Sequence, residues 1–245
     1  MAQDEQLVYG LHAVLEALEA GKDLEKVLLR RGGNSELQRK LKSALAGRNI
    51  PVQLVPVERL NRITRKNHQG VVAWISAISY SPLESILPAI FERGEDPLLL
   101  LLDGVSDVRN FGAIARSAEC AGVHALVIPQ SGAAAIGADA IKTSAGALHR
   151  IPVCRSRNLE EAVKFMKNSG LKAIAATEKA KESLYDTDLR GPSVLLMGSE
   201  ERGISPVLLK EADHWVSIPM KGSISSLNVS VAAGVMLFEI NRQRG

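Results

Sequence analysis

From residue 98 onward, short and almost uninterrupted apolar runs alternate with stretches whose apolar residues return every three or four positions. The runs fall at 98–102, 125–128, 151–153, 172–176, 194–197 and 215–218. Helical spacing fills 111–121, 139–147, 159–169 and about 228–242, with a short helix starting at Pro206. Strands that are apolar on both sides cannot face water, so this alternation predicts a parallel sheet covered by helices on both faces. The first 76 residues follow a shorter version, with strands at 7–9, 26–29, 52–55 and 71–75 and helices at 11–20, 35–45 and 57–63, which predicts a small second sheet with its own helices. Between the two, Pro82, Pro88, Gly94 and Pro97 surround a short helical stretch at 83–92. Proline and glycine at both ends predict a linker. The expected class is α/β, divided into 1–76, a linker at 77–96, and 97–245.

With 46% hydrophobic residues in a chain of 245, both parts can bury a core. Apolar runs such as Leu98 to Leu102 fall far short of the ~20 residues that a membrane helix needs. Met1-Ala2-Gln3-Asp4-Glu5 lacks the basic start and apolar core of a secretion signal, so a cytoplasmic protein with no membrane partner is expected. Cys120 and Cys154 form no C-x-x-C pair and the five histidines show no metal-binding spacing; reduced cysteines and no metal are expected.

The net charge of +3 is unevenly spread. Residues 1–76 hold 12 Lys and Arg against 8 Asp and Glu, whereas 77–245 hold 18 against 19. Between Lys22 and Lys66 the ratio is 12 to 4, which suits a polyanion whose counterions are released on binding. Thr64-Arg65-Lys66-Asn67-His68-Gln69-Gly70 mixes cations, amides and a glycine, suited to a phosphate or a base edge. His68, alone in that loop, is assigned no chemistry.

Two unusual stretches stand near the C-terminus: Val194-Leu195-Leu196-Met197-Gly198-Ser199-Glu200-Glu201-Arg202-Gly203-Ile204, and Ile218-Pro219-Met220-Lys221-Gly222-Ser223-Ile224-Ser225-Ser226-Leu227-Asn228-Val229-Ser230-Val231. Each starts as a strand and breaks into glycine and short polar residues, which allow a backbone to approach a ligand closely. The second then opens a helix with small early residues, Ala232-Ala233-Gly234. A cleft walled by main chain is one reading; two strand-to-helix turns capped by Ser226 or Asn228 is the other. No G-x-x-x-x-G-K-[ST] or G-x-G-x-x-G sequence occurs, which argues against nucleotide-dependent phosphoryl transfer and dinucleotide enzymes.

These two stretches resemble the second and third signature motifs of the SpoU branch of the SPOUT RNA 2'-O-ribose methyltransferases, and Asn110-Phe111-Gly112-Ala113-Ile114-Ala115-Arg116 resembles the first. Tyr9-Gly10-Leu11-His12-Ala13-Val14 and His68-Gln69-Gly70-Val71-Val72-Ala73 resemble the RNA-recognition domain of the ribosomal RNA members of that family, related to a small ribosomal-protein fold. The resemblance implies a deep trefoil knot, a homodimer, and S-adenosylmethionine as cofactor, bound by Met197, Gly198, Ile218, Ser226 and Leu227 with Ala176 and Thr177 as a further wall. It implies methyl transfer to a guanosine ribose of 23S ribosomal RNA, not DNA; a tRNA substrate or a non-catalytic RNA-binding role in ribosome assembly are the alternatives.

By the same resemblance Asn110, Arg116, Glu200, Ser226 and Asn228 form the catalytic set. A guanidinium stays charged, so Arg116 is expected to clamp a phosphate and stabilise a developing oxyanion rather than take a proton. Alternatives are open for each: Asn110 as cap of a helix at Phe111, Glu200 paired with Arg202 or Lys221, Arg116 paired with Glu119 or Asp107, and Ile218 and Leu227 as core. The family often has Asp-Pro before the first asparagine, where this chain has Asp107-Val108-Arg109-Asn110.

Overall fold

The computed structural model describes residues 7–245; the five residues behind the reading of the N-terminus lie outside them. The chain forms two compact units, one running up to Ser79 and including Ile136–Ala138, the other comprising Tyr80–Ala135 and Asp139–Gly245.

The first unit runs β1 (Leu7–Tyr9), α1 (Leu11–Glu19), β2 (Leu24–Arg30), α2 (Glu36–Leu45), β3 (Val52–Val55), α3 (Val57–Ile63) and β4 (Val71–Ile75). Its sheet has the order β1-β4-β2-β3, antiparallel except for the parallel β2–β3 pair. Strand alternation sends Val27, Leu29, Val71 and Ala73 to one core with α1 and α2, and Leu28 and Val72 to a second with Leu60 of α3. Ser35 caps α2 by accepting from the Gln38 amide. The loop before β4 is pinned from within: buried His68 bonds Asn61 Oδ1 through Nε2 at 2.8 Å and accepts from the Gly70 amide on Nδ1, while Gln69 Oε1 accepts from the Leu11 amide at the start of α1. His68 is thus a fastener of the loop.

The second unit begins with α4 (Leu83–Glu92), β5 (Leu98–Asp103), α5 (Val108–Cys120), β6 (Ala125–Pro129) and α6 (Ala138–Thr143). It continues with β7 (Val153–Ser156), α7 (Leu159–Asn168), β8 (Lys172–Ala176), the two-residue β9 (Glu182–Ser183), β10 (Ser193–Gly198), α8 (Pro206–Glu211), β11 (His214–Ser217) and α9 (Val229–Arg244). All seven strands pair in parallel, in the order β7-β6-β5-β10-β8-β11-β9. Leu99, Leu101, Val194 and Leu196 meet α4, α7 and α8 on one face, and Leu98, Leu100 and Leu195 are equally buried on the other. Helix α9 packs against β10 and along α5.

Several local outcomes differ from the sequence pattern. Residues from Tyr80 onward belong to the second unit, and the helix within the expected linker is α4, whose Leu83 and Leu87 enter the core beside β5. The helix expected over 139–147 stops at Thr143 because Ala145 and Gly146 take left-handed backbone (φ 50° and 84°), and a 3₁₀ turn, Ala147–His149, follows. Helix α5 starts three residues before Phe111: Asp107 caps it, accepting from the Asn110 amide at 2.7 Å. Asn110 is therefore a first-turn residue, not the cap, and its side chain is free for other partners.

The end of α9 is held by charge. Arg244 donates to the carbonyls of Asp96, Pro97 and Gly191 and to Ser193 Oγ, tying the last helical turn to the entries of β5 and β10. One turn earlier, buried Glu239 accepts from Arg242 at 2.7 and 2.8 Å and from Gln243 at 2.9 Å. Those bonds to the Arg242 guanidinium, with a further one from Gln243, lower the Glu239 pKa from 4.5 to about 2. A carboxylate depressed on folding contributes stability that is complete above its unfolded pKa and lost as pH falls through the folded one. Glu239→Gln should therefore be less stable than the parent at neutral pH, and the gap should close between about pH 4.5 and about pH 2. Urea unfolding across that range checks it; a gap independent of pH would contradict it.

Candidate active site

Parallel strands deliver their C-terminal ends to one edge of the sheet, the usual place for a ligand in such folds. Here β10 ends at Gly198 beside Asp103, its register partner at the end of β5. The next five residues fold back sharply: Gly203, at φ +66°, donates its amide to Ser199 O at 2.8 Å, and Ser199 Oγ accepts from the Arg202 amide. Gly198 lies against this turn so closely that a Cβ there would stand 1.9 Å from the Gly203 carbonyl carbon and 2.2 Å from the Ile204 nitrogen. No side chain fits that position without moving backbone.

The 199–203 turn is a wall shared by two cavities. One, of about 580 Å³, is lined by Ala176 and Thr177 after β8, Met197 and Gly198 of β10, Ile218 after β11, and Ser226 and Leu227 before α9. The structure thus brings all seven expected cofactor-binding residues to one space, and Ile218 and Leu227 are half-buried there rather than packed in a core. Its floor includes Ala232 of α9, one of the small residues that the sequence pattern joined to a main-chain cleft, and Met236, which that pattern did not mark. The other cavity, of about 550 Å³, is lined by Asp103–Asp107, Asn110, the 199–203 turn and Val229. The sequence reading did not single out Asp103 or Gly104; their place just past a buried parallel strand was the available signal.

Three of the expected catalytic side chains meet at the shared wall. Glu200 Oε1 accepts from Asn228 Nδ2 at 2.6 Å, from the Val229 amide at 3.2 Å and from Asn110 Nδ2 at 3.4 Å; Asn228 Nδ2 also donates to Asn110 Oδ1 at 3.0 Å. Asn228 is in addition the cap of α9, accepting from the amides of Ser230 and Val231. One asparagine therefore starts the helix with its oxygen and joins the cluster with its nitrogen. Glu200 takes these neutral donors rather than Arg202 or Lys221.

Arg116 and Ser226 are not in this cluster. Six residues past Asn110 on α5, Arg116 lies ~9 Å along the axis and about 120° around it, so it leaves from another side of the helix. It is exposed and has no ion pair among the described residues; Glu119 pairs instead with Arg150 at 3.6 Å, and Asp107 caps α5. Ser226 lines the first cavity from an exposed loop.

Residues 97–238 match the model of the SpoU rRNA methylase family, and residues 7–81 that of the RNA 2'-O ribose methyltransferase substrate-binding domain. The chain is 40% identical to the 23S rRNA (guanosine-2'-O-)-methyltransferase RlmB of Pseudomonas aeruginosa, over 97% of this chain and 96% of that one. The enzyme of the same name from Escherichia coli K12 is 35% identical, over 98% and 99%. Among solved structures, the SpoU methyltransferase AviRb of Streptomyces viridochromogenes in complex with AdoMet superposes with a TM-score of 0.61 at 28% identity, covering 97% of this chain and 89% of that one. With both of its units matched in order, and full-length relatives well above 30% identity, the chain belongs to the SpoU rRNA methylase family.

Proposed function

We propose that this protein transfers a methyl group from S-adenosylmethionine to the ribose 2'-hydroxyl of a guanosine in 23S ribosomal RNA. The observation that carries the reading is the Asn110–Glu200–Asn228 cluster standing in the wall between two cavities, one for each reactant. Full-length likeness to enzymes named for this reaction, and a first unit matching a substrate-binding model, support ribosomal RNA over tRNA.

The first cavity fits the cofactor. S-adenosylmethionine carries no phosphate, and the cavity offers main chain at Gly198, apolar surface from Met197, Ile218, Leu227 and Met236, and polar groups at Thr177 and Ser226. When bound, the cofactor supplies a methyl group activated by a sulfonium. Glu200, held by three donors, fixes the 199–203 turn and the start of α9 together, so both walls keep one geometry. Asn110 extends that order to the second cavity. Arg116, exposed and unpaired, is the group suited to hold a phosphate beside the target ribose and to stabilise negative charge as the hydroxyl attacks.

Two family traits belong to the same proposal. A homodimer is supported by α9, where Val231 and Phe238, two turns apart on one face, are 52% and 53% exposed. A threaded C-terminal segment is supported by β10 lying between β5 and β8, both earlier in the sequence, with the 218–228 loop and α9 following it. A ribosomal RNA substrate supports a cytoplasmic location as part of the same proposal. No helix among the described residues is long and apolar enough to cross a membrane.

Purified protein given labelled S-adenosylmethionine should methylate unmodified 23S rRNA at one guanosine ribose and leave unmodified tRNA unlabelled; transfer to tRNA alone would refute the substrate assignment. Arg116→Ala should lower the transfer rate ~100-fold while cofactor affinity stays unchanged, read by single-turnover kinetics and calorimetry. A normal rate would remove Arg116 from the site. Gly198→Ala should weaken cofactor binding by about tenfold or more, ~1.4 kcal/mol, because the turn must move to admit the methyl; unchanged affinity in a folded variant would place the cofactor elsewhere.

A further inference from the structure

The first unit carries a feature that the methyl-transfer reading does not use. Its sheet is covered unequally. Helices α1 and α2 lie over one face, whereas the other has only α3, seven residues long, over Leu28, Val55 and Val72. Lys26 and Trp74, cross-strand partners two residues beyond Leu28 and Val72, are on that second face where α3 leaves it open.

The result is an open groove of about 710 Å³ with Leu28, Ile63 and Trp74 along its apolar surface and Lys26, Arg59 and Arg62 at its sides. Arg59 and Arg62, three apart on α3, project from one side of the helix. Lys26 Nζ stands 4.3 Å from the centre of the Trp74 ring. The same face carries a second such pair, with Lys66 Nζ 5.5 Å from the Tyr9 ring. None of Lys26, Arg59 and Arg62 has an ion-pair partner among the described residues, and Glu58 is the one carboxylate in the groove lining.

Uncompensated cations flanking a half-exposed aromatic ring are what an anionic chain with planar groups requires: phosphates meet the cations, and a base stacks where the ring is accessible. A duplex keeps its bases stacked inside, so the ring selects an unpaired stretch. We infer that the groove between α3 and the Lys26–Trp74 end of the sheet binds single-stranded RNA, with a base against Trp74 and phosphates on Arg59 and Arg62. This deepens the reading above by naming where a substrate strand lies on the first unit, and rests on that reading for the polyanion being RNA.

The test uses the full chain carrying Trp215→Phe, which leaves Trp74 as its only tryptophan. Titration with a short unstructured RNA should quench Trp74 emission, while duplex RNA of the same length should quench it far less. In the same background, Arg59→Ala with Arg62→Ala, both at exposed positions, should weaken binding by ~10-fold and reduce the steepness of its salt dependence by roughly 0.7 for each lost phosphate contact. Trp74→Leu, assayed by filter binding, should weaken it by ~10-fold with little change in salt slope. In methylation of 23S rRNA these variants should raise KM and leave kcat at saturation unchanged. Unquenched emission with unaltered affinities would overturn the groove, as would equal quenching by polyglutamate. Methyl transfer that proceeds identically in all variants would overturn the groove and leave the enzyme reading intact. Quenching and weakened variants without any methyl transfer by the parent protein would uphold the groove and overturn the enzyme reading.

Discussion

A single carboxylate oxygen ties together three segments that are far apart in the chain. Glu200 Oε1 receives a donor from α5, one from the residue capping α9, and the first amide of α9 itself. Each segment leaves its own structural element in a direction set by that element: Asn110 by the Asp107 cap, Glu200 by the sharp turn after β10, Asn228 by its duty at the head of α9. The carboxylate is where those separate constraints meet. Without it the turn after β10 and the start of α9 would each keep their own internal hydrogen bonds but lose the bonds that join one to the other.

Much of this was legible in residue pattern. Apolar runs mark buried parallel strands, and β3, α3, β4, α4 and β8 occupy the residues the pattern indicated. Seven of the residues lining the first cavity were legible because they stand at or just past the ends of parallel strands or in a motif loop, and such ends converge at one edge of the sheet. Other features depend on contacts that sequence does not display. That Asp107 rather than Asn110 caps α5 follows from which side chain reaches a free amide. The same cap starts α5 with Val108 at its first position. Helix α4, framed by proline and glycine, has the composition of a connector, yet Leu83 and Leu87, four apart, give it a buried stripe. Arg116 belongs to the motif by spacing, but helical rotation turns it away from Asn110.

The two units divide the chemistry between them. The second holds a buried apolar sheet, and at the C-terminal edge of that sheet small residues, main chain and the Asn110–Glu200–Asn228 cluster line two cavities. The first, with the same general ingredients of strands and amphipathic helices, keeps its excess of cations on the surface and leaves part of one sheet face uncovered. A basic surface attracts a polyanion over distance, but it does not discriminate; the rings among the cations add a contact that depends on the bases being accessible.

The wall at Gly198 has a further consequence, for how such a site changes over time. Where a ligand is recognised by side chains, single substitutions can adjust or abolish the contact in small steps. At Gly198 the wall is main chain in such close contact with the turn at Gly203 and Ile204 that the smallest side chain would collide with backbone. A point change at Gly198 therefore cannot alter the surface without displacing the turn, and Glu200 in that turn holds Asn110 and Asn228. Position 198 is thereby closed to every residue but glycine for as long as the turn keeps its place, a constraint set by main chain and independent of any ligand.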